Sequence, residues 1–289
     1  MPDFPGKTTE IDYAKDVKID LKGKKILSVL SKNCRLKPTP TQIGNIVGLS
    51  KEVVHHRIKN LENRGFIRGY YTLINPRKIG LQIFVVFLEL QNISQTKENE
   101  IIDKLVKHDA AQYITRCLGK YDIIFDIIAK SMDDFDKILR NLFKEFGQYV
   151  KYYETIEILD VLKYVSLVDS FSENLILIKK FMRDSTFMKD LENSIIDYTE
   201  NKVNLDEKDF QILYLLANNA TLQLKQIAEK ISLSSDAIKY RIKRLIKENV
   251  ILGFYPIINI SMLGYHNHGI LLELNNPTRL KTLFQLLYL

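Results

Sequence analysis

The sequence predicts an α+β protein built from two kinds of small unit, and three observations carry that prediction. First, one passage of the 289-residue chain is written twice: Gln42–Leu90 set against Gln226–Leu274 is identical at 17 of 49 positions. A repeat of that length fits a duplicated domain better than a stacked solenoid unit. Second, both copies run as helical periodicity, a short turn, a second helical stretch and then extended apolar residues. Third, from Ile83 onward the pattern changes period in the order β-α-β-β-α-β, which is the ferredoxin-like arrangement. The predicted architecture is a winged helix-turn-helix followed by a ferredoxin-like βαββαβ domain. A helical connector comes next, then a second winged helix-turn-helix with the start of a second ferredoxin-like domain.

In the first copy, Ile19, Ile26, Leu27 and Leu30 fall at helical spacing, so Ile19–Ser31 is predicted as a helix. Thr39-Pro40 opens a short second helix through Val47, with Thr as N-cap and Pro in the first turn. Gly48-Leu49 breaks it, Ser50 caps a third helix to about Arg64, and Gly65 stops that one. Phe66–Ile74 is expected as a short hairpin turning at Arg68-Gly69. The second copy repeats the layout as Leu205–Leu216, Leu224–Ile231, Ser234–Glu248 and Val250–Ile258. After the first expected hairpin, strands are expected at Ile83–Leu90, Tyr113–Leu118, Ile123–Ala129 and Tyr152–Val161, with helices at Lys97–His108 and Asp133–Phe146. One face of such an apolar sheet needs a cover, either a dimer partner or a second internal copy.

The domain reading is therefore residues 1–17 a tail, 18–78 the first winged helix-turn-helix and 79–164 the ferredoxin-like domain. Residues 165–203 are a connector in which Leu175–Phe187 and Met188–Tyr198 suggest one or two amphipathic helices. Residues 204–262 are the second winged helix-turn-helix, and 263–289 an incomplete second ferredoxin-like domain that runs into a helix at Thr278–Leu289. The sequence is expected to be truncated there, because half a sheet is a poor end for a domain.

Composition narrows the classes. No stretch reaches ~18 uninterrupted apolar residues, and the N-terminus lacks the layout of a signal peptide. Cys34 and Cys117 are the whole cysteine content and read as reduced thiols of a cytoplasmic protein. The net charge of +7 is unevenly spread. Residues 15–78 carry 15 Lys+Arg against 4 Asp+Glu, residues 79–164 carry 11 against 14, and residues 204–264 carry 8 against 6. A basic module beside a mildly acidic one is the footprint of a unit that meets a polyanion.

The third helix of each copy is the candidate reading element. With Val54, Ile58 and Leu61 inward, the opposite face holds Glu52, His56, Lys59 and Asn63, flanked by His55 and Asn60. In the second copy Ile238, Ile242 and Leu245 are inward. Asp236, Tyr240, Lys243 and Lys247 face out, with Lys239 and Arg244 beside them. Amide, imidazole and cationic tips are what reading base edges in a major groove requires. Ser50, Lys51 and Ser235 stand at the helix starts. Arg57 and Arg241 lie at the margin, placed to reach a phosphate or to brace the neighbouring helix. Arg64, Arg68, Tyr70 and the first-helix lysines (Lys22, Lys24, Lys25) suit backbone contacts on double-stranded DNA. If about six of these cations touch phosphates, log affinity falls with log salt at a slope of roughly −5.

At this point the chain resembles a known group, the leucine-responsive regulator / asparagine-regulator (Lrp/AsnC) family of prokaryotic transcription factors. The resemblance rests on Ile19-Asp20, Ile26-Leu27, Leu30, Leu49-Ser50, Val54, Arg57-Ile58, Leu61-Glu62, Gly65, Ile67 and Gly69-Tyr70. It continues through Gly119-Lys120-Tyr121-Asp122 and Tyr153-Glu154-Thr155. It implies a cytoplasmic regulator whose ferredoxin-like domain dimerises and binds a small effector such as an amino acid. Tyr113, Gly119, Tyr121 and Asp122 would then lie near the effector pocket, with capping the more natural role for Asp122. The chain departs from the family in being a tandem, so one polypeptide can act as a pseudo-dimer as well as form homo-oligomers.

Other chemistry is set aside. His266 and His268 share a strand face but have no third ligand nearby, and His55 and His56 point ~100° apart, so no metal site is expected. No Walker loop, GxSxG or HExxH motif occurs, and neither a catalytic residue nor a cofactor is assigned. Asp133, Asp134 and Asp136 sit in a predicted first helical turn, which explains them structurally. The alternative is a siroheme decarboxylase-like enzyme, whose architecture this chain resembles. Tyr113 and Arg116 are available for a tetrapyrrole, but no histidine lies on that strand and the chain has no Trp.

Overall fold

The computed structural model describes residues 19–31, 38–159, 161, 202–265 and 268–271. The predicted connector helices, the helix at Thr278–Leu289 and the N-terminal tail lie outside the described residues.

The first head is three helices: α1 (Leu21–Ser31), α2 (Pro40–Val47) and α3 (Lys51–Asn63). Local chemistry sets their ends. The Thr39 hydroxyl accepts from the Gln42 N–H while the Gln42 side chain accepts from the Thr39 N–H, closing a capping box. Gly48 ends α2 at φ 68°, a left-handed conformation that costs glycine little. The Ser50 hydroxyl then accepts from the Val53 N–H to start α3. Ile26, Leu27, Ile43, Val54, Leu61 and Phe66 fill the core between the helices.

The expected hairpin at 66–74 is not formed. Ile67–Ile74 is one unbroken strand, β1, and Gly69 makes no turn. Its partner comes from 184 residues further on: β6 (Ile251–Ile258), the matching strand of the second copy, pairs with it antiparallel. Tyr71 stands opposite Tyr255, its own counterpart in the repeat, so a pseudo-two-fold axis passes through that pair. Register runs outward symmetrically, from Thr72 opposite Phe254 to Tyr70 opposite Pro256. The local sequence is apolar and extended as expected, but strand pairing is satisfied by the other copy.

Between these strands lies the ferredoxin-like unit: β2 (Gln82–Leu90), α4 (Gln95–Lys107), β3 (Ala111–Arg116), β4 (Ile123–Ala129), α5 (Met132–Phe146) and β5 (Val150–Glu157). The sheet order is β3-β4-β2-β5 with every neighbouring pair antiparallel. Strand alternation sends Phe84, Val86, Leu88, Ile123, Phe125 and Ile127 to the helix-covered face, where Phe84 stacks on Phe135 at 4.4 Å. Ser94 and Ser131 cap the two helices. Asp134 at the start of α5 accepts from the Lys130 N–H, a structural role as expected.

The second head repeats the first with α6 (Glu207–Asn218), α7 (Leu224–Ile231) and α8 (Ser235–Lys247). Its core is Ile212, Ile227, Ile238, Leu245, Val250 and Ile251. The heads exchange parts around the two-fold. The Asn75 N–H donates to the Val250 carbonyl at 2.9 Å, and its counterpart Asn259 N–H donates to the Phe66 carbonyl at 2.9 Å. Ile74 and Ile79 of the first copy pack on the second core, while Ile258 and Leu263 of the second pack on the first. Thr72 adds a bond to the Leu216 carbonyl at 2.8 Å. Separating the heads would expose these apolar side chains and leave strand N–H and C=O groups without partners, so the pair holds as one body.

Candidate nucleic-acid interface

Each head is built so that its third helix stands proud. In α3, Lys51, Glu52, His55, His56, Lys59 and Asn60 are all exposed, with Asn63 beside them. Val54 and Leu61 on the reverse side are buried. Glu52 accepts from its own backbone N–H and from the Ser50 hydroxyl, which lowers its carboxyl below the ordinary value and keeps it anionic. In α8, Ser235, Asp236, Lys239, Tyr240 and Lys243 are exposed, and Tyr240 is 70% exposed, unusual for a large aromatic side chain.

The marginal arginines brace. Arg57 donates to both oxygens of Asp20, at 2.9 and 2.8 Å, tying α3 to the entry of α1. Burial alone would raise the Asp20 carboxyl. The Gly23 N–H and Arg57 outweigh it and hold it below the ordinary value. Arg241 repeats the contact on Asp206 and adds Asp209 at 2.8 Å. Arg244, expected beside the outward face, is instead drawn back onto Asp209, whose side chain is fully buried. Of the backbone-contact set, Lys22 donates to the Val47 carbonyl at 2.9 Å, closing the end of α2, as Lys208 does to Ile231 at 2.8 Å. Arg64 sits over the Phe66 ring at 4.9 Å. The Tyr70 hydroxyl donates to Glu62 at 2.8 Å, and burial with that partner pushes its pKa far above the usual value. Arg68 is exposed at the start of β1.

The sequence reading did not single out Asp209 or the lysine clamps. A signal was available: Asp20/Asp206, Lys22/Lys208 and Arg57/Arg241 are kept in both copies while the helix surfaces between them differ.

The residues named for an effector are only partly gathered. Tyr121 and Asp122 adjoin at the entry to β4. Tyr121 packs on Phe87 at 5.1 Å and donates to Glu154. Asp122 accepts from the Leu90 N–H at 2.7 Å and its own N–H donates to the Leu88 carbonyl, so it ties β2 to the turn. Gly119 supplies the turn at φ 151°. Tyr113 stands in the β3 irregularity at φ 50° and is 70% exposed. On the sheet face away from the helices lies Asp126, opposite Val85 on one side and Gln112 on the other; burial pushes its carboxyl up to about 6. Arg116, considered for a tetrapyrrole, is engaged by Glu98 at 2.6 Å and by Asn99.

Among the described residues no cluster of three or more His, Cys, Asp or Glu suited to a metal is present, and no helix is long and apolar enough to cross a membrane. His266 lies outside the described residues; His268 is exposed.

A family described as winged helix-turn-helix DNA-binding matches residues 19–68 and again 205–251, one match per head. The HTH-type transcriptional regulator LrpA of Pyrococcus abyssi is 34% identical over 124 residues, covering 43% of this chain and 84% of that protein. The regulator Ptr1 of Methanocaldococcus jannaschii is 33% identical over 122 residues, covering 42% of this chain and 78% of that protein. The chain belongs to the Lrp/AsnC family of HTH-type transcriptional regulators. Among solved structures, the siroheme decarboxylase NirDL covers 82% of this chain and 65% of its own at a TM-score of 0.51 and 12% identity, a likeness of fold alone.

Proposed function

We propose that this protein is a transcriptional regulator that binds double-stranded DNA, with α3 and α8 entering major grooves. The carrying observation is the solvent-facing polar surface of α3, from Lys51 to Asn60, on a helix-turn-helix in the most basic part of the chain. Its arginine neighbour Arg57 is spent on Asp20, which fixes the helix angle and leaves His55, His56, Lys59 and Asn60 to meet base edges. Lys51 and Arg68 are placed for phosphates. This reading puts the protein in the cytoplasm, where its DNA is.

The ferredoxin-like domain is, in this reading, the sensing and assembling unit. It takes a small metabolite such as an amino acid near Tyr113, Gly119 and Tyr121, while Asp122 holds the turn. Higher assembly as a homo-oligomer adds to the pairing already made inside one chain. The names of the relatives and the engagement of Arg116 by Glu98 both weigh against a tetrapyrrole enzyme.

Fluorescence anisotropy on genomic duplexes across a salt series tests this. Six phosphate contacts give a slope of about −5, and the double variant Lys51→Ala/Arg68→Ala flattens it by up to ~2. Salt-independent binding, or none, would refute the reading, and a visible absorbance band on adding siroheme would then support the enzyme.

A further inference from the structure

The two-fold that relates the heads relates their backbones, not their surfaces. Tyr71 opposes Tyr255, and the Asn75–Val250 and Asn259–Phe66 bonds repeat across the axis. A pair of identical heads so related reads a palindrome, because each half-site sees the same side chains. Here corresponding helix positions carry different chemistry. His55 corresponds to Lys239, His56 to Tyr240 and Asn60 to Arg244. Lys59 and Lys243 are shared, and an acid opens both helices at Glu52 and Asp236.

We propose that one chain recognises an asymmetric duplex site, two half-sites of unlike sequence in inverted orientation, each read by its own head. This rests on the reading of the chain as a binder of duplex DNA. The first head offers Asn60, an amide that pairs with the two major-groove groups of adenine, beside two imidazoles. The second cannot repeat that contact. Its residue at the same position, Arg244, is turned inward onto Asp209, and Asp209 stands where the first head has Gly23. What it presents instead is Lys239 and Lys243, which suit the acceptor edge of guanine, and the exposed Tyr240 ring, which suits a thymine methyl. Because the heads exchange core residues and strand bonds, one chain holds the two unlike surfaces in a fixed inverted relation.

Selection of the full chain on a library of random duplexes, repeated with Asn60→Ala and with Lys239→Ala/Tyr240→Ala, tests it. The expected motif is non-palindromic, with two different half-sites at fixed spacing. Asn60→Ala should lower discrimination on the order of 10-fold in one half-site only, and the second-head variant should do so only in the other. A palindromic motif, or a single half-site unchanged by Lys239→Ala/Tyr240→Ala, overturns the asymmetric site while leaving DNA binding intact. Failure to retain any duplex at low salt overturns the DNA-binding reading itself and this proposal with it.

Discussion

Asp209 offers the sharpest test of how the second head is held together. Its carboxylate is fully buried and accepts from Arg241 at 2.8 Å, from Arg244 and from the Asp206 N–H at 3.1 Å. Asp209→Asn keeps the volume but removes the charge both guanidiniums face. Breaking a fully buried pair costs about 3–5 kcal/mol. Two facts lower that figure here: Arg241 keeps Asp206, and the arginine side chains are 23% and 31% exposed, so water can take up part of the lost interaction. A cost of roughly 2–3 kcal/mol follows. Arg244→Gln alone should cost about 1 kcal/mol, and the double variant little more than Asp209→Asn, a coupling of just under ~1 kcal/mol. The chain contains more than one unit, so a single global unfolding curve is a poor readout. Amide hydrogen exchange across α6 and α8 reports the local opening free energy instead. Additive effects, within about 0.5 kcal/mol, would refute the claim that Arg244 is withdrawn onto Asp209.

Asp126 gives a pH signature. Its carboxyl is raised from the ordinary 3.8 to about 6, so its ionised form is disfavoured in the folded state and its contribution is lost as pH rises from about 4 through 6. Asp126→Asn should therefore stabilise the ferredoxin-like domain at pH 8, by up to about 3 kcal/mol, and leave pH 4 nearly unchanged; amide exchange across β2 and β4 at the two pH values, each against the parent chain at the same pH, checks this. Ser232 ends α7 at φ 58°, where the first head uses Gly48. Ser232→Gly is expected to raise second-head stability by roughly 0.5–1 kcal/mol, read as slower exchange of α7 amides. Ser50→Ala removes the acceptor for the Val53 N–H and should cost about 1 kcal/mol, measured by the same exchange experiment on α3.

Much of this molecule is legible in the sequence because its signals are local. Thr39, Ser50 and Ser234 mark helix starts by their own hydroxyls, and the apolar run Ile123–Ala129 reads as a strand and forms β4. The missed features are those whose partners lie far along the chain. Nothing in Ile67–Ile74 says whether its backbone bonds close on a hairpin or on Ile251–Ile258, since either pairing satisfies the same apolar strand. Arg244 reads as an outward cation from helix geometry alone; only Asp209, on α6, decides that it turns inward. The candidate site divides the same way: exposed helix positions follow from periodicity, whereas the bracing roles of Arg57, Arg241 and Lys22 depend on packing between elements.

The pairing of β1 with β6 inside one chain is the claim on which the asymmetric site depends. Tyr71→Cys/Tyr255→Cys, in a chain with Cys34 and Cys117 replaced by Ser, tests it directly. Directly opposed residues on antiparallel strands have Cα atoms about 4.5–5.5 Å apart, within disulfide range. Oxidation should give a single-chain species in which the peptide holding position 71 is linked to the peptide holding position 255. A product linked between two chains, or no link at all in folded protein, would contradict the account.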